Sequence, residues 1–347
     1  MPSISIDTFF ACTLMVAVVI IATIAVTGTM MTRINSWKMN EEPYLRILYE
    51  SILSETGSPS NWGSDSNVKP SEFGLANTNS RYPTALDVDK VTRLNPQNDF
   101  ALSYTDILSA ARLTDLALKI SISQIMNVRI SLESKSSQGN STVYTFRISV
   151  NQDSGPVTAF LHCYAIARDL LQDVYNSTST NGIGYASFQI PNTSNGTAAV
   201  IAFARATQHQ MMTACSTQLF AHLSNEPPTN QTLLDLTPLN YTLHVSPKSG
   251  NTTIESYKAF SFSYQTDLHK VTNASRQIPK MLDASPIVLI VTGTNSSSNF
   301  IEGTTYPEVP FETGSNFNNS ESHAFSGIAT IQNTLYKVTI DFGDVNP

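Results

Sequence analysis

The segment Phe9 to Val26, FFACTLMVAVVIIATIAV, carries no charged side chain, and the uncharged run continues to Thr32. At 1.5 Å per residue a helix of this length covers about 30 Å of hydrocarbon. Lipid leaves a backbone no hydrogen-bond partner but itself, so the β-branched residues do not argue against a helix. The rival reading is a cleaved secretory signal, which needs a basic start, a shorter apolar core and a small-x-small exit. MPSISID holds no Lys or Arg, and the core is long. The expectation is an N-terminal tail (1–7) and a retained transmembrane α-helix (8–30), with membrane lipid as its partner.

Arg33 and Lys38 follow the run and nothing basic precedes it, which alone would place the C-terminal side in the cytoplasm. The rest of the chain opposes that. Charged residues make up 14%, against roughly 25% in soluble proteins, and Asn, Ser and Thr take their place. Sequons of the form N-x-S/T stand at Asn140, Asn176, Asn192, Asn195, Asn230, Asn240, Asn251, Asn273, Asn295 and Asn318. A polar, uncharged surface with candidate N-glycosylation sites suits an exterior face. The expected localisation is therefore the cell membrane, single-pass, with the C-terminal domains extracellular. A net charge of −7 without a Lys/Arg run excludes a phosphate-neutralising footprint, so no nucleic acid partner is expected.

At 347 residues the chain exceeds one ordinary core. After the apolar run, Ile34, Trp37, Leu45, Leu48 and Ile52 recur near helical spacing, an amphipathic stalk helix over 31–57. Pro43 either kinks this helix or opens a second one. Gly57 and Pro59 end it, and Asn61 and Gly63 supply the turn that carries Trp62. Trp62 is expected to fold back onto apolar surface, with ligand stacking as the alternative.

Residues 58–135 read as a small α+β region. Ser103 is placed to cap a short helix, and Leu116–Ile122 and Val128–Leu132 alternate as two half-buried strands. Residues 136–224 read as an Ig-like β-sandwich and 225–347 as a second β-rich, Ig-like module, with a long polar loop over 295–319. The fold class expected is thus an N-terminal transmembrane helix with amphipathic extension, then a mainly β ectodomain. Cys163 and Cys215 are the two cysteines outside the apolar run. In an oxidising compartment they would close a loop of about 50 residues, worth ~4 kcal/mol by chain entropy; the alternative is a pair of buried free thiols.

The approach Ile6-Asp7-Thr8-Phe9-Phe10, the turn Gly57-Ser58-Pro59-Ser60-Asn61-Trp62-Gly63 and the following Phe73-Gly74-Leu75-Ala76 together resemble archaeal surface proteins of the type IV pilin-like class. Asn181-Gly182 before Tyr185-Ala186-Ser187-Phe188-Gln189-Ile190-Pro191 is similar to a strand of surface-exposed Ig-like modules. The resemblance covers mainly 6–76, with a weaker patch at 181–205. It implies a hydrophobic helix that anchors or assembles β-rich heads, and a homo-oligomer or filament built through that helix. Asp7 stands where such helices carry an acid that neutralises a neighbouring subunit's amino terminus; the plain alternative is a helix cap. The basic and small residues that precede the apolar run in processed precursors are not matched by MPSISID.

No catalytic constellation is legible. His162, His209, His222, His244, His269 and His323 are scattered, without H-E-x-x-H or Cys/His ligand spacing. Asp341-Phe342-Gly343 lacks the lysine and catalytic-loop motifs of a kinase, and Asp87-x-Asp89 lacks the glycine of a calcium loop and reads as a solvated turn. The expectation is no catalytic residue, no metal and no cofactor. The function expected is a structural or adhesive, pilin-like surface protein. The alternative is a membrane-tethered receptor for surface glycans or other surface proteins.

Overall fold

The structure is a computed structural model that describes residues 6–80, 84–168, 170–224, 228, 230–280, 283–296, 298–317 and 322–344. The chain divides into two compact units, Met1–Glu50 and Ser51–Pro347.

The first unit is helix. α1 spans Ile6–Ser54, 49 residues, and runs through Pro43 as one element. The expected membrane span is corrected here: among the described residues no helix is long and apolar enough to cross a membrane. The single-pass localisation with external C-terminal domains falls with that span.

The second unit is mainly β, in several sheets, as expected of the region after the helix. Two short helices come first. α2 (Val88–Thr92) is capped by Asp87, whose carboxylate accepts from the amides of Asp89 and Lys90. α3 (Tyr104–Ala110) is capped by Ser103, as its sequence predicts. The strands then run β1 (Leu116–Gln124), β2 (Asn127–Gln138), β3 (Ser141–Gln152), β4 (Gly155–Pro156), β5 (Ala159–Ala167), β6 (Leu170–Ser177), β7 (Ile183–Pro191), β8 (Gly196–Ala206) and β9 (Thr213–His222). The remainder comprises β10 (Leu234–Leu239), β11 (Thr242–Pro247), β12 (Thr252–Phe260), β13 (Gln265–Asp267), β14 (His269–Thr272), β15 (Ser275–Gln277), β16 (Ile287–Asn295), β17 (Ser298–Tyr306), β18 (Phe311–Gly314), β19 (Ser322–Ile331) and β20 (Thr334–Asp344).

Three layers hold the centre. The sheet β6-β5-β8-β9 lies between a sheet built on β3, flanked by β2, β4 and β7, and the sheet β13-β12-β16-β17. Burial on both faces explains why β5 (AFLHCYAIA) and β8 (GTAAVIAFARA) read as continuous apolar runs rather than alternating ones. One face of the middle sheet presents a row of small residues, Ala165, Ala198, Ala202 and Ala204, against Tyr144, Phe146 and Phe188 of the neighbouring sheet. Large opposite small fills the layer without voids. The other face packs Tyr164, Ile201 and Phe203 against Phe260, Val288 and Ile301.

This layering changes the domain picture. Residues 58–135 do not stand alone, because β1 pairs along its whole length with β20, next to β18, while β2 joins β3. β1 finds its pairing partners only in strands distant in sequence. The polar loop expected over 295–319 instead contains β17 and β18. β17 pairs with β16 from Tyr306 to Ser298 and buries Phe300, Ile301 and Glu302.

The disulfide expectation is also corrected. Cys163 and Cys215 are free and buried. Cys163 faces the β3 layer and Cys215 the β12–β16 layer, and β8 lies between their strands. Two strand spacings put the Cα atoms about 10 Å apart, beyond the roughly 4.4–6.8 Å a disulfide spans.

Candidate functional site

In the first unit the functional surface is the helix itself. Leu14, Val18 and Ile21 lie on one side, Met15 and Val19 on the next, and Val16, Ile20 and Ile24 on the third, as 100° per residue requires. All eight are exposed, by 53–70%. The two polar groups among them are quiet: Thr23 and Thr27 donate their hydroxyls to the carbonyls of Val19 and Thr23, each at 2.7 Å. Asp7 lies in the first turn of α1. Its side chain falls outside the described residues, as does that of Cys12.

In the second unit the turn after α1 is a buried polar junction. Trp62 is fully buried, stacks on Phe73 at 6.0 Å and donates Nε1–H to the Gly74 carbonyl at 3.2 Å. It packs a corner, as the turn chemistry predicts. Gly57 sits at φ +68°, and a Cβ on Gly63 would lie 2.6 Å from the Lys90 amide nitrogen. Two cations from the α2 segment converge here. Lys90 donates to the carbonyls of Thr56 and Ala76, both at 2.8 Å. Arg93 donates to those of Trp62, Asp65 (2.9 Å), Val68 (2.8 Å), Ser66 (3.2 Å) and Phe100 (3.0 Å). Burial pushes both pKa values below their ordinary range. The carbonyl cage takes the place of water around each charge.

The α2 segment also reaches the C-terminal half. Asp89 is no solvated turn residue: it is buried and accepts from the Tyr306 hydroxyl at 2.5 Å and the Asn240 amide at 2.7 Å. Its pKa is raised to about 6, chiefly by burial. Tyr306 in turn accepts from the Tyr241 amide at 3.3 Å. Asp89 thereby fixes the two-residue hairpin between β10 and β11. A second such hairpin joins β19 to β20, and Gln332 of that turn donates to the Tyr241 hydroxyl at 3.3 Å. Asn240, Tyr241, Gln332 and Asn333 all have positive φ, 49–64°, which identifies both turns as type I′. A tyrosine there is unusual and marks a backbone held by its surroundings.

Two cavities flank this region. One, of about 550 Å³, lies beside the paired hairpin tips. The other, of about 590 Å³, is lined by Gln124, Cys215, Asn230, Thr304 and Glu308. Gln124 reads the Cys215 backbone from both sides, donating at 3.1 Å and accepting at 2.6 Å. Burial pushes the Cys163 and Cys215 thiols up to about 12, so neither supplies a thiolate. Glu308 accepts from Asn98 at 2.7 Å and Thr304 at 2.9 Å, and burial raises it to about 7.

The histidines stay apart. His162 stacks on Tyr175 at 3.6 Å, meets Asp173 at 3.1 Å and touches the Phe262 carbonyl, buttressing β5 against the β12 end. His222 bridges the Tyr144 hydroxyl and the Pro191 carbonyl. Among the described residues no group of three His, Cys, Asp or Glu is placed to hold a metal. Of the sequon asparagines, Asn140, Asn176, Asn192, Asn195, Asn230, Asn240, Asn251 and Asn273 are exposed and Asn295 is half-buried. Asn318 lies outside the described residues. The side-chain nitrogens of Asn176 and Asn230 already donate to the Tyr185 and Gly303 carbonyls.

The buried junction escaped the sequence reading because nothing local distinguishes Asp89, Lys90 and Arg93 from surface charges. The one available signal was a charged segment, VDKVTR, wrapped around apolar residues that all needed burial.

No family model matches this chain, and no curated protein matches it either. Among solved structures, human GIVD cytosolic phospholipase A2 aligns with a TM-score of 0.15 and 8% identity, covering 67% of this chain and 33% of that one. That score is too low to indicate a shared fold.

Proposed function

We propose that this chain is a structural or adhesive subunit of pilin-like organisation that assembles with copies of itself through α1, its β unit forming the head. The observation that supports this most is the ring of eight exposed apolar side chains around α1. A helix apolar on every side needs cover on every side. Burying such residues contributes roughly 1.5–3 kcal/mol each, so eight together supply about 12–24 kcal/mol, enough to offset most or all of the ~4–15 kcal/mol cost of association. Another α1 suits the role, since the run from Phe9 to Thr32 brings no charge into the contact.

The archaeal type IV pilin-like resemblance belongs to this proposal, and so does an Ig-like reading of the β3 and β5–β8 layers. Its similar strand, Ile183–Pro191, is β7 and packs Phe188 and Ile190 into that core. The exposed sequons support a glycosylated head. Within that reading Asn176 and Asn230 stay unmodified, because their amides are already engaged.

Sedimentation velocity of the full chain without detergent tests the assembly. The wild type forms concentration-dependent oligomers, and the Ile20→Glu/Ile24→Glu variant sediments as a monomer with an unchanged β circular dichroism signal. A wild-type chain that stays monomeric at every concentration would remove the proposal.

A further inference from the structure

Resting on the glycosylated-head reading above, we infer that Asn240 carries an N-linked glycan whose first sugars lie in a groove of the β unit instead of projecting into solvent. Asn240-Tyr241-Thr242 is a sequon whose middle residue is not Pro. Asn240 stands exposed at the tip of the β10–β11 hairpin, and its side-chain amide makes no hydrogen bond among the described residues. The amides of Asn176 and Asn230, by contrast, are engaged.

Asn240 and Thr242, the acceptor and the third residue of that sequon, both line a groove of about 850 Å³. Every residue that lines it, with its neighbours in the chain, belongs to the described set. The groove is held in shape from behind. The buried Arg93 guanidinium donates to the carbonyls of Asp65, Ser66 and Phe100 at 2.9–3.2 Å, and all three residues line it. Asp99, next to Phe100, accepts from the Thr237 hydroxyl of β10 at 2.7 Å. Where β14 turns into β15, the Thr272 and Ser275 hydroxyls bond each other at 2.7 Å. Asp89 fixes the Asn240 backbone amide at 2.7 Å. Acceptor and groove therefore share one geometry before any sugar is attached, which lowers the ordering cost of the contact.

The lining suits a sugar chain. Ser64, Ser66 and Thr242 bring hydroxyls, each able to donate and to accept, as the hydroxyls of a sugar ring do. Phe100, edge-on to His244 at 5.2 Å and 79°, and Val271, 53% exposed, give apolar surface for the C–H face of the ring. Weak contacts suffice, because attachment makes them intramolecular, at an effective concentration on the order of millimolar or above. In the attachment step the Asn240 side-chain nitrogen bonds to the anomeric carbon of an oligosaccharide carried on a lipid diphosphate. The bond from that carbon to the phosphate oxygen breaks, the lipid diphosphate leaves, and the amide gives up one proton to the transferase.

The full chain, produced behind a cleavable secretion signal in a eukaryotic host, tests the assignment through glycopeptide mass mapping and timed release by a peptide N-glycosidase. Asn240 is occupied. From the native chain its glycan is released about tenfold more slowly than that of Asn251, an exposed sequon outside the groove, and after denaturation the two rates agree. Phe100→Ala removes the aromatic wall and brings the native rates together. Val271→Asp does the same at an exposed position, without touching the core. An empty Asn240 beside other occupied sequons, equal native rates in the wild type, or slow release that survives both substitutions overturns the groove assignment alone. A chain with no sequon occupied overturns the glycosylated head itself, and this site with it.

Discussion

Two buried carboxylates make the stability of the β unit fall as pH rises, against the usual trend for paired acids. Asp89 goes from an ordinary 3.8 to about 6 and Glu308 from 4.5 to about 7, each chiefly because burial penalises the ionised form. Between the unfolded and folded values the native state holds a proton that the unfolded chain has lost. Stability is therefore fully present below about pH 4 and declines through pH 6–7. A shift of about two units is worth about 3 kcal/mol for each group. Asp89→Asn and Glu308→Gln keep an acceptor for Tyr306 and for Asn98 respectively, and remove the ionisation.

Urea unfolding followed by Trp62 fluorescence, at matched protein concentration from pH 4 to pH 8, reads the difference between each variant and wild type. A constant offset reflects altered hydrogen bonds; the diagnostic part is the change with pH. That difference should grow in the variant's favour by about 3 kcal/mol across the interval. A flat difference, or one growing in the wild type's favour, would refute the claim that burial dominates these two sites.

Other outcomes follow from the junction and the layers. Trp62→Ala should destabilise by roughly 3–5 kcal/mol in urea unfolding followed by circular dichroism, the cost of an emptied aromatic site, while Trp62→Phe loses about 1 kcal/mol with the bond to Gly74. Arg93→Met leaves several buried carbonyls unmet and should cost about 3 kcal/mol or more, with Arg93→Lys only partly restoring them. Gly63→Ala forces a methyl against the Lys90 amide and should lower stability by about 1–3 kcal/mol. Cys163 and Cys215 should resist alkylation in the native protein and react fully in denaturant; peptide mapping that finds them linked would contradict the strand order described here.

Much of the strand pattern was legible because a strand with one wet face writes its burial into alternate residues. β3, with Tyr144, Phe146, Ile148 and Val150 inward, shows this plainly. The Ser103 cap and the Trp62 corner were legible for a similar reason, since caps and tight turns depend on residues close in sequence. β17 was not. Its residues, SNFIEGTTY, look like polar loop, and Glu302 is buried only because the amides of Thr232, Leu233 and Leu234 meet its carboxylate at 2.7–2.8 Å.

By itself, the sequence determined an apolar helix at the front, a turn that buries a tryptophan, and a succession of strands behind it. Each of these follows from side-chain periodicity or local backbone chemistry. Only the tertiary structure decided that β1 closes against β20, that Cys163 and Cys215 face opposite ways, and that Asp89 reaches across to the hairpin carrying Tyr241. Those outcomes depend on which distant surfaces cover one another, and no local pattern records its remote partner.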